Sequence, residues 1–221
     1  MATLGIDNNR TCEGGKIMKA KLLLALLTAG TLYAGQYDKV KITPDMSYVY
    51  IYHKGKAVKV HRIQDTKHKL TGEYAKTYRP GQYIQPINLK NGVQTIGEVE
   101  VLNFMKEKVN KQQGMLIDVR DKEHYKKESI PSAVNIPSKI GKNDIAMNKI
   151  FKSLGMQQRN DGSWDASRAM ELVIYCDGMW CKKSTEMIGS LLERGYPSDK
   201  ISYYRGGFQM WKILGFTTVR N

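Results

Sequence analysis

Hydrophobic and polar residues alternate over residues 48–63, on both sides of a Lys-Gly pair at 54–55. Alternation with a period of two indicates β-strands, and a glycine between two such runs is typical of a tight turn. The pattern therefore predicts a β-hairpin. Tyr48, Tyr50 and Tyr52 share one face of its first strand, and we expect that face to pack against the domain that follows rather than to be a recognition surface.

Residues 64–92 are polar, interrupted by prolines and glycines, and without sustained periodicity. This composition predicts a loop. A loop of this length commonly packs on the rest of the protein or carries function. We therefore assign residues 35–92 to an N-terminal β extension with its loop, and residues 93–221 to the main domain.

Beyond residue 97 the pattern becomes that of alternating helices and strands. Four short apolar runs predict buried strands, at residues 115–119, 133–136, 172–175 and 201–204. Apolar residues at helical spacing predict helices at residues 101–109, 145–154 and 187–192. The alternation predicts an α/β domain with a mainly parallel sheet flanked by helices, and such sheets bind ligands at the carboxyl ends of their strands.

Residues 18–34 have the pattern of a secretory signal peptide. A basic start at Lys19 and Lys21 precedes an apolar run and small residues near Ala34. The apolar run is too short to cross about 30 Å of hydrocarbon comfortably, so a permanent membrane anchor is the less favoured alternative. We expect cleavage after Ala34, a periplasmic or otherwise exported protein, and no stable membrane anchor after cleavage.

The residues before Met18 are polar and unpatterned. Our hypothesis is that Met18 is the natural start and that residues 1–17, which include Cys12, are a misassigned leader. The mature chain keeps two cysteines, Cys176 and Cys181. After export they would stand in a compartment that favours disulfides.

Composition narrows the classes of function. Of the 221 residues, 41% are hydrophobic and 25% are charged, which excludes wholesale disorder and a protein with several membrane spans. The formal net charge is +14, but the lysines are spread along the chain and no nucleic-acid-binding motif accompanies them. We therefore expect no nucleic-acid partner. The four histidines show no ligand spacing with cysteines or acids, so the sequence predicts no metal ion and no other cofactor.

The strongest chemical signal is a cysteine at the end of a predicted strand. The run at 172–175 delivers Cys176 to the carboxyl end of its strand, and a helix is expected to start near Ser184. Unpaired amides at a helix start and in a turn attract an anion, and Lys182 and Lys183 add positive charge. We therefore expect the Cys176 thiol to ionise more readily than a free thiol, whose pKa is about 8.5, and to be a nucleophile.

Residues from about 97 to 216 resemble a rhodanese domain. Motifs of that family occur in order: Asp-x-Arg and Ile-Pro-x-Ala-x-Asn-Ile-Pro within 117–137, Tyr-Cys at 175–176, Leu-Leu-Glu-Arg-Gly-Tyr at 191–196 and Gly-Gly-x-x-x-Trp at 206–211. Segments at 61–70, 79–86 and 92–104 are similar to the leading region of a subgroup of exported bacterial rhodanese-like proteins. The resemblance implies a rhodanese-like fold and sulfurtransferase activity.

The resemblance also implies roles for individual residues. Cys176 would take sulfane sulfur from thiosulfate or polysulfide, hold it as a persulfide, and pass it to a thiol, sulfide, cyanide or protein acceptor. The residues expected to bind the small anionic donor are Asp177, Gly178, Met179, Trp180, Lys182, Lys183 and Ser184. Those expected to support the loop are Asp118, Arg120, Arg205, Gly206 and Gly207, with the first two forming a structural salt bridge rather than acting in catalysis.

The loop after Cys176 departs from the usual pattern of the family. Ser184 and Gly195 each lie two positions farther from Cys176 than the resemblance implies. The two extra residues therefore lie in the loop and not in the helix, whose apolar face they would rotate by about 200°. Lys183 takes the place of an arginine, so the compact charge of an ammonium group replaces a planar guanidinium group. Cys181 lies inside the enlarged loop.

Several alternatives remain open at this point. Cys181 resolves the Cys176 persulfide by forming a disulfide and expelling sulfide, or the pair cycles as a dithiol; otherwise Cys181 packs under the loop or the two cysteines oxidise after export. Trp180 either caps the pocket or contacts a partner, or it packs inward. The whole protein is alternatively a noncatalytic sulfur carrier or persulfide-binding module that docks to a periplasmic partner. A cysteine phosphatase is disfavoured, because the terminal arginine of its loop is absent. The oligomeric state is left open.

Overall fold

The computed structural model describes residues 39–77, 82–89 and 92–221 of the chain. The signal-peptide pattern at residues 18–34 and the leader before it lie outside these residues, so export stays a prediction, as does the division of the chain at residue 92. In the described part of the chain, no helix is long and apolar enough to span a membrane.

The predicted hairpin is confirmed. Strand β1 spans Tyr48–His53 and pairs with the antiparallel strand β2, Lys56–His61. Lys54 and Gly55 connect the strands with φ angles of 48° and 77°, the left-handed conformation that two-residue hairpin turns favour. The glycine adopts this conformation without the steric penalty of a side chain.

The tyrosine face of β1 points away from the core, so the prediction that it packs against the main domain is wrong. Tyr48, Tyr50 and Tyr52 are 44%, 56% and 63% exposed, while Val49 and Ile51 on the other face are buried. Aliphatic side chains bring no polar atom into a core, whereas a buried tyrosine hydroxyl needs a hydrogen-bond partner. The two aliphatic residues therefore decide which face of the strand is covered.

The central sheet confirms the predicted α/β class. The strands after the hairpin are β3 Gln94–Ile96, β4 Gly114–Asp118, β5 Val134–Asn135, β6 Gln157–Gln158, β7 Trp164–Asp165, β8 Glu171–Tyr175 and β9 Ile201–Tyr204. Five of them form one sheet in the order β3-β9-β8-β4-β5, with every neighbouring pair parallel. Strands β6 and β7 form a small separate hairpin. Strand β3 is not among the predicted strands, because three residues are too few to show a periodic pattern.

Helices cover both faces of this sheet. They are α1 Glu98–Phe104, α2 Lys122–Lys127, α3 Asp144–Ser153, α4 Lys183–Glu193 and α5 Gly207–Ile213, and a π-helical turn, Met105–Val109, continues α1. Helices α3 and α4 bury Phe151 and Met187 against one face. The hairpin, α1 and α5 cover the other face with Ile51, Leu102 and Trp211. Burial on both faces explains why the sheet strands read as continuous apolar runs.

Candidate active site

The loop after Cys176 lies at the carboxyl edge of the central sheet. Strand β8 ends at Tyr175, which pairs with Asp118 at the end of the neighbouring strand β4. Cys176 therefore lies beside the residues that follow Asp118. Helix α4 begins at Lys183, so the loop spans residues 176–182. This is the edge at which open parallel sheets bind their ligands.

Cys176 and Cys181 form a disulfide that closes the loop on itself, with their Cα atoms 6.2 Å apart. The Cys181 N–H donates a hydrogen bond of 2.9 Å to the carbonyl of Gly178, and this turn brings the second cysteine back to the first. Cys176 is 2% exposed and Cys181 is 8% exposed. Neither sulfur can ionise in this oxidised form, so the nucleophilic Cys176 thiolate belongs to the reduced protein and stays a prediction.

Asp177 places a carboxylate against both sulfur atoms. Its Oδ2 lies 3.7 Å from Sγ of Cys176 and 3.9 Å from Sγ of Cys181. Its Oδ1 accepts a hydrogen bond of 3.3 Å from the Tyr74 hydroxyl and lies 3.3 Å from Nδ1 of His124. A negative charge at this distance disfavours an anionic sulfur. The carboxylate therefore opposes the effect expected from the lysines and amides of the loop.

A buried ion pair lies behind the loop. Arg120 donates to both carboxylate oxygens of Asp118, from Nη2 to Oδ2 at 2.7 Å and from Nε to Oδ1 at 3.0 Å, and both side chains are almost fully buried. Tyr175 donates to the same carboxylate at 2.8 Å. Burial disfavours the Arg120 cation, but the charge and hydrogen bonds of Asp118 outweigh it and raise the pKa of Arg120. The pair has the geometry of a structural salt bridge.

Arg120 also reaches the loop through Tyr74. Its Nη1 donates a hydrogen bond of 3.0 Å to the Tyr74 hydroxyl, and that hydroxyl donates onward to Asp177. Tyr74 lies in a short 3-10 helix, Gly72–Ala75, within the polar segment before the main domain. Burial raises the pKa of Tyr74, so its hydroxyl keeps the proton that it donates.

The two loop lysines are paired with acidic side chains. Nζ of Lys182 lies 3.1 Å from Glu186, one helical turn farther on, and its side chain is largely exposed. Nζ of Lys183 lies 2.6 Å from Oδ2 of Asp121. The hydrogen bond from Lys183 holds the pKa of Asp121 below its ordinary value. Lys183, at the place expected for a family arginine, therefore turns toward the start of α2.

The remaining loop residues pack inward to different degrees. Ser184 is buried in the first turn of α4, and its Oγ has no hydrogen-bond partner among the described residues. The Trp180 ring lies against Gly178, where an added Cβ would stand 2.5 Å from the ring. The same indole lines a surface cavity of about 550 Å³, together with Leu70 and Tyr74. Trp180 thus both packs on the loop and faces a cavity.

The polar segment before the main domain holds the loop from outside. The Gln85 N–H donates a hydrogen bond of 2.8 Å to the Met179 carbonyl, and Nε of Arg205 donates to the Gln85 carbonyl at 2.8 Å. Nη1 of Arg205 also lies 3.9 Å from Sδ of Met179. Arg205 therefore supports the loop both directly and through Gln85.

Gly207 lets helix α5 approach the cysteine closely. Its φ is +61°, and an added Cβ would lie 2.6 Å from the Cys176 carbonyl oxygen. The Phe208 N–H donates a hydrogen bond of 2.9 Å to that oxygen. Gly206 makes a different close approach, since a Cβ there would lie 2.8 Å from the Glu98 carboxylate. Both glycines thus bring the turn before α5 against its neighbours.

Cys176, Asp177 and Cys181 also offer ligand atoms that lie within 4.8 Å of one another. Both sulfurs are used by the disulfide, so this group could hold a metal ion only as reduced thiolates. Spacing along the chain does not indicate this cluster, because a cysteine next to an acidic residue has no ligand pattern.

Three contacts of the loop come from residues that the sequence does not single out for this role: Tyr74, Gln85 and His124. Tyr74 is 103 residues away from its partner Asp177 along the chain, so no local pattern links the two. The one usable signal is the length of the polar segment, which predicts that it packs on the protein or carries function.

Comparison with known proteins identifies the domain. Residues 101–214, which are 114 of the 221 residues, match the family model described as the rhodanese-like domain. Among solved structures, a Bacillus halodurans protein shares 20% identity over 59% of this chain and 79% of its own, with a TM-score of 0.44. A rhodanese with anions from E. coli shares 24% identity over 49% of this chain and 99% of its own, with a TM-score of 0.31. A thiosulfate sulfurtransferase from Pseudomonas aeruginosa shares 17% identity over 58% of this chain and 20% of its own, with a TM-score of 0.39. No curated protein matches the chain.

Proposed function

The chain belongs to the family of rhodanese-like domains, and we propose that it is a sulfurtransferase whose Cys176 carries sulfane sulfur as a persulfide. The observation that carries this proposal is the position of Cys176, directly after strand β8 and at the start of a loop that ends in helix α4. The first N–H groups of a helix have no partner within the helix. A persulfide anion held beside them gains hydrogen bonds and a favourable dipole.

The reaction begins with the reduced thiolate of Cys176. It attacks the outer sulfur of thiosulfate, the S–S bond of the donor breaks, and sulfite leaves with the bonding electrons. The outer sulfur stays on Cys176 as a persulfide. A thiol, sulfide, cyanide or protein acceptor then attacks that outer sulfur and regenerates the thiolate. Polysulfide reacts in the same way, with a shorter polysulfide as the leaving group.

The oxidised structure sets a condition on this reaction. Cys176 is bonded to Cys181 and almost fully buried. A donor reaches the Cys176 sulfur only after the disulfide has been reduced and the loop has opened around it. The proposed sulfurtransferase is therefore active only in the reduced state.

Sulfite release and intact mass test the persulfide. Protein that has been reduced and freed of reductant without air should release sulfite from thiosulfate, and Cys176→Ser should release none. Because Cys181 can itself react with a persulfide, the mass is measured on Cys181→Ser, which should gain one sulfur atom that cyanide removes. Absence of both the sulfite and the added sulfur would reject the proposal.

A carrier that hands its persulfide to a partner protein is the second candidate. The observation that favours it is the open cavity beside the loop, which Trp180 lines together with Lys69 and Lys76. This cavity gives a partner segment a place to bind next to the disulfide loop. A carrier would form the persulfide but turn over slowly with cyanide and small thiols, so the rates of sulfur transfer to these acceptors distinguish the two candidates.

We also propose that the protein works outside the cytoplasm, because residues 18–34 have the pattern of an export signal. N-terminal sequencing of the protein from a periplasmic extract should begin at Gly35. Recovery of the chain only from the cytoplasm, with residues 18–34 intact, would contradict the export.

A further inference from the structure

The disulfide joins the proposed persulfide carrier, Cys176, to a second cysteine in the same loop. Cys181 stands in the enlarged part of the loop, five positions farther along the chain. The turn between Cys181 N–H and the Gly178 carbonyl, at 2.9 Å, holds the two cysteines within bonding reach. When Cys176 carries a persulfide in the reduced protein, the Cys181 thiol therefore lies next to it and competes with any external acceptor.

We propose that Cys181 reduces the persulfide on Cys176, so that the protein releases sulfide and ends each cycle in the disulfide form seen in the structure. This inference rests on the proposed function, because it needs the Cys176 persulfide. It changes the overall activity, since sulfane sulfur leaves as sulfide and no external nucleophile has to accept it. The substrates remain small sulfane-sulfur anions, such as thiosulfate and polysulfide.

The atoms and electrons of this step balance within the loop. The Cys181 sulfur attacks Sγ of Cys176, a bond forms between the two cysteine sulfurs, and the bond from Cys176 to the outer sulfur breaks. The outer sulfur leaves with the bonding electrons as hydrosulfide. It is reduced by two electrons while the cysteine pair is oxidised to the disulfide. The proton of the Cys181 thiol ends on the leaving sulfur.

Asp177 is placed to carry that proton. Its Oδ2 faces the sulfurs of Cys176 and Cys181 at 3.7 Å and 3.9 Å, so it can take the proton from one and deliver it to the sulfur leaving the other. The Tyr74 hydroxyl donates a hydrogen bond of 3.3 Å to its Oδ1, and Nδ1 of His124 lies at the same distance from that oxygen. The negative charge also disfavours a lasting persulfide anion and favours its conversion into the uncharged disulfide.

An external dithiol has to reduce the disulfide before the next cycle. Its thiolate attacks Cys181, which is 8% exposed while Cys176 is 2% exposed, and Cys176 leaves as the thiolate that begins the next cycle. The second thiol of the reductant then displaces Cys181, and the reductant departs as its own disulfide. One cycle converts thiosulfate and a dithiol into sulfite, sulfide and a disulfide.

A single turnover without air tests the inference. Fully reduced wild-type protein, freed of reductant, is mixed with thiosulfate, and sulfite, sulfide and intact mass are measured over time. Each chain should release one sulfite and one sulfide and lose two hydrogen atoms as the disulfide forms. Cys181→Ser should release sulfite, keep the added sulfur atom and release no sulfide. Cys176→Ser is the control that should do neither.

The outcomes separate the inference from the function on which it rests. If wild-type protein releases sulfite but keeps the added sulfur atom and releases no sulfide, the internal reduction is wrong and the sulfurtransferase stands. If no sulfite is released by the wild type, both fail. The wild-type measurement needs no variant, so a folding defect in Cys181→Ser cannot hide the result.

Asp177→Asn tests the proton carrier. Sulfide release should slow about a hundredfold at neutral pH, and the deficit should shrink as the pH rises, because Cys181 then ionises without a proton acceptor. The matched control is Glu186→Gln, which removes a carboxylate that pairs with Lys182 on the exposed side of α4 and should leave the rate unchanged. A deficit that does not depend on pH would assign Asp177 a structural role only.

Discussion

Tyr74 donates a hydrogen bond of 3.3 Å from its hydroxyl to Oδ1 of Asp177, and this contact joins the polar segment before the rhodanese-like domain to the disulfide loop. Arg120 donates to the same hydroxyl at 3.0 Å. One neutral side chain therefore lies between a buried cation and the carboxylate that faces the sulfurs. The segment in front of the family match thus contributes directly to the candidate site.

Tyr74→Phe should destabilise the oxidised protein by about 1–2 kcal/mol. The change removes only the hydroxyl, so Arg120 loses an acceptor and Asp177 loses a donor, and both partners are charged. Urea denaturation monitored by circular dichroism measures the loss. Tyr83→Phe is the matched control, because Tyr83 is highly exposed and such a change stays within about 0.5 kcal/mol. Equal stability of the two variants would contradict the bridging role of Tyr74.

The sequence predicts most of the secondary structure and the fold class of the domain that contains this site. The hairpin, the α/β class and the parallel strands are confirmed because each follows from a local period of apolar residues. Strand β3, Gln94–Ile96, is not predicted, because three residues are too few to show a period. It belongs to the sheet through its pairing with β9. The buried face of β1 is also mispredicted, since Ile51 and the exposed Tyr50 are both compatible with a strand and only packing distinguishes them.

The site itself is predictable only in part. The strand-end position of Cys176 follows from a local pattern, as does the presence of Cys181 in an enlarged loop. The pairing of Tyr74 with Asp177 does not, because it spans 103 residues and depends on how the polar segment wraps the domain. The direction in which Lys183 points is also not predictable from a local pattern. Its partner Asp121 lies 62 residues away along the chain and draws the lysine ammonium toward itself.

Gly207→Ala should destabilise the protein and displace the loop. The φ of +61° costs an alanine about 1–3 kcal/mol in backbone strain alone, and the new Cβ would lie 2.6 Å from the Cys176 carbonyl oxygen. Gly189→Ala is the control, because it lies inside α4 with no atom within 4 Å of the added Cβ and should stabilise the helix by about 0.5–1 kcal/mol. Denaturation of both variants measures the contrast, and a stable Gly207→Ala protein would refute it.

Asp118→Asn should be the most damaging single change at the site. It leaves the Arg120 cation buried without a counter-charge, for which the expected loss is about 3–5 kcal/mol. Asp144→Asn gives the comparison: Asp144 also pairs with an arginine, Arg194, but its side chain is largely exposed, and exposed pairs contribute at most about 1 kcal/mol. Free energies of unfolding from urea titrations decide the matter. Similar losses in the two variants would show that the burial of the Asp118 pair has no energetic consequence.

The ion pair between Asp121 and Lys183 should make stability depend on pH in the acid range. The hydrogen bond from Lys183 lowers the pKa of Asp121 below its ordinary value of 3.8. A lowered carboxyl pKa gives stability that is fully present above the ordinary value and lost as the pH falls through the lowered one. Because both side chains are partly exposed, the coupling should be only about 0.2–1 kcal/mol and should weaken with salt.

A double-mutant cycle with Asp121→Asn, Lys183→Ala and the combined variant isolates this coupling from other effects of each change. Unfolding is measured at neutral pH and again well below 3.8, the ordinary value for an aspartate. The coupling should be present in the first measurement and absent in the second, because Asp121 is protonated there. A coupling of the same size at both pH values would contradict an interaction that depends on the Asp121 charge.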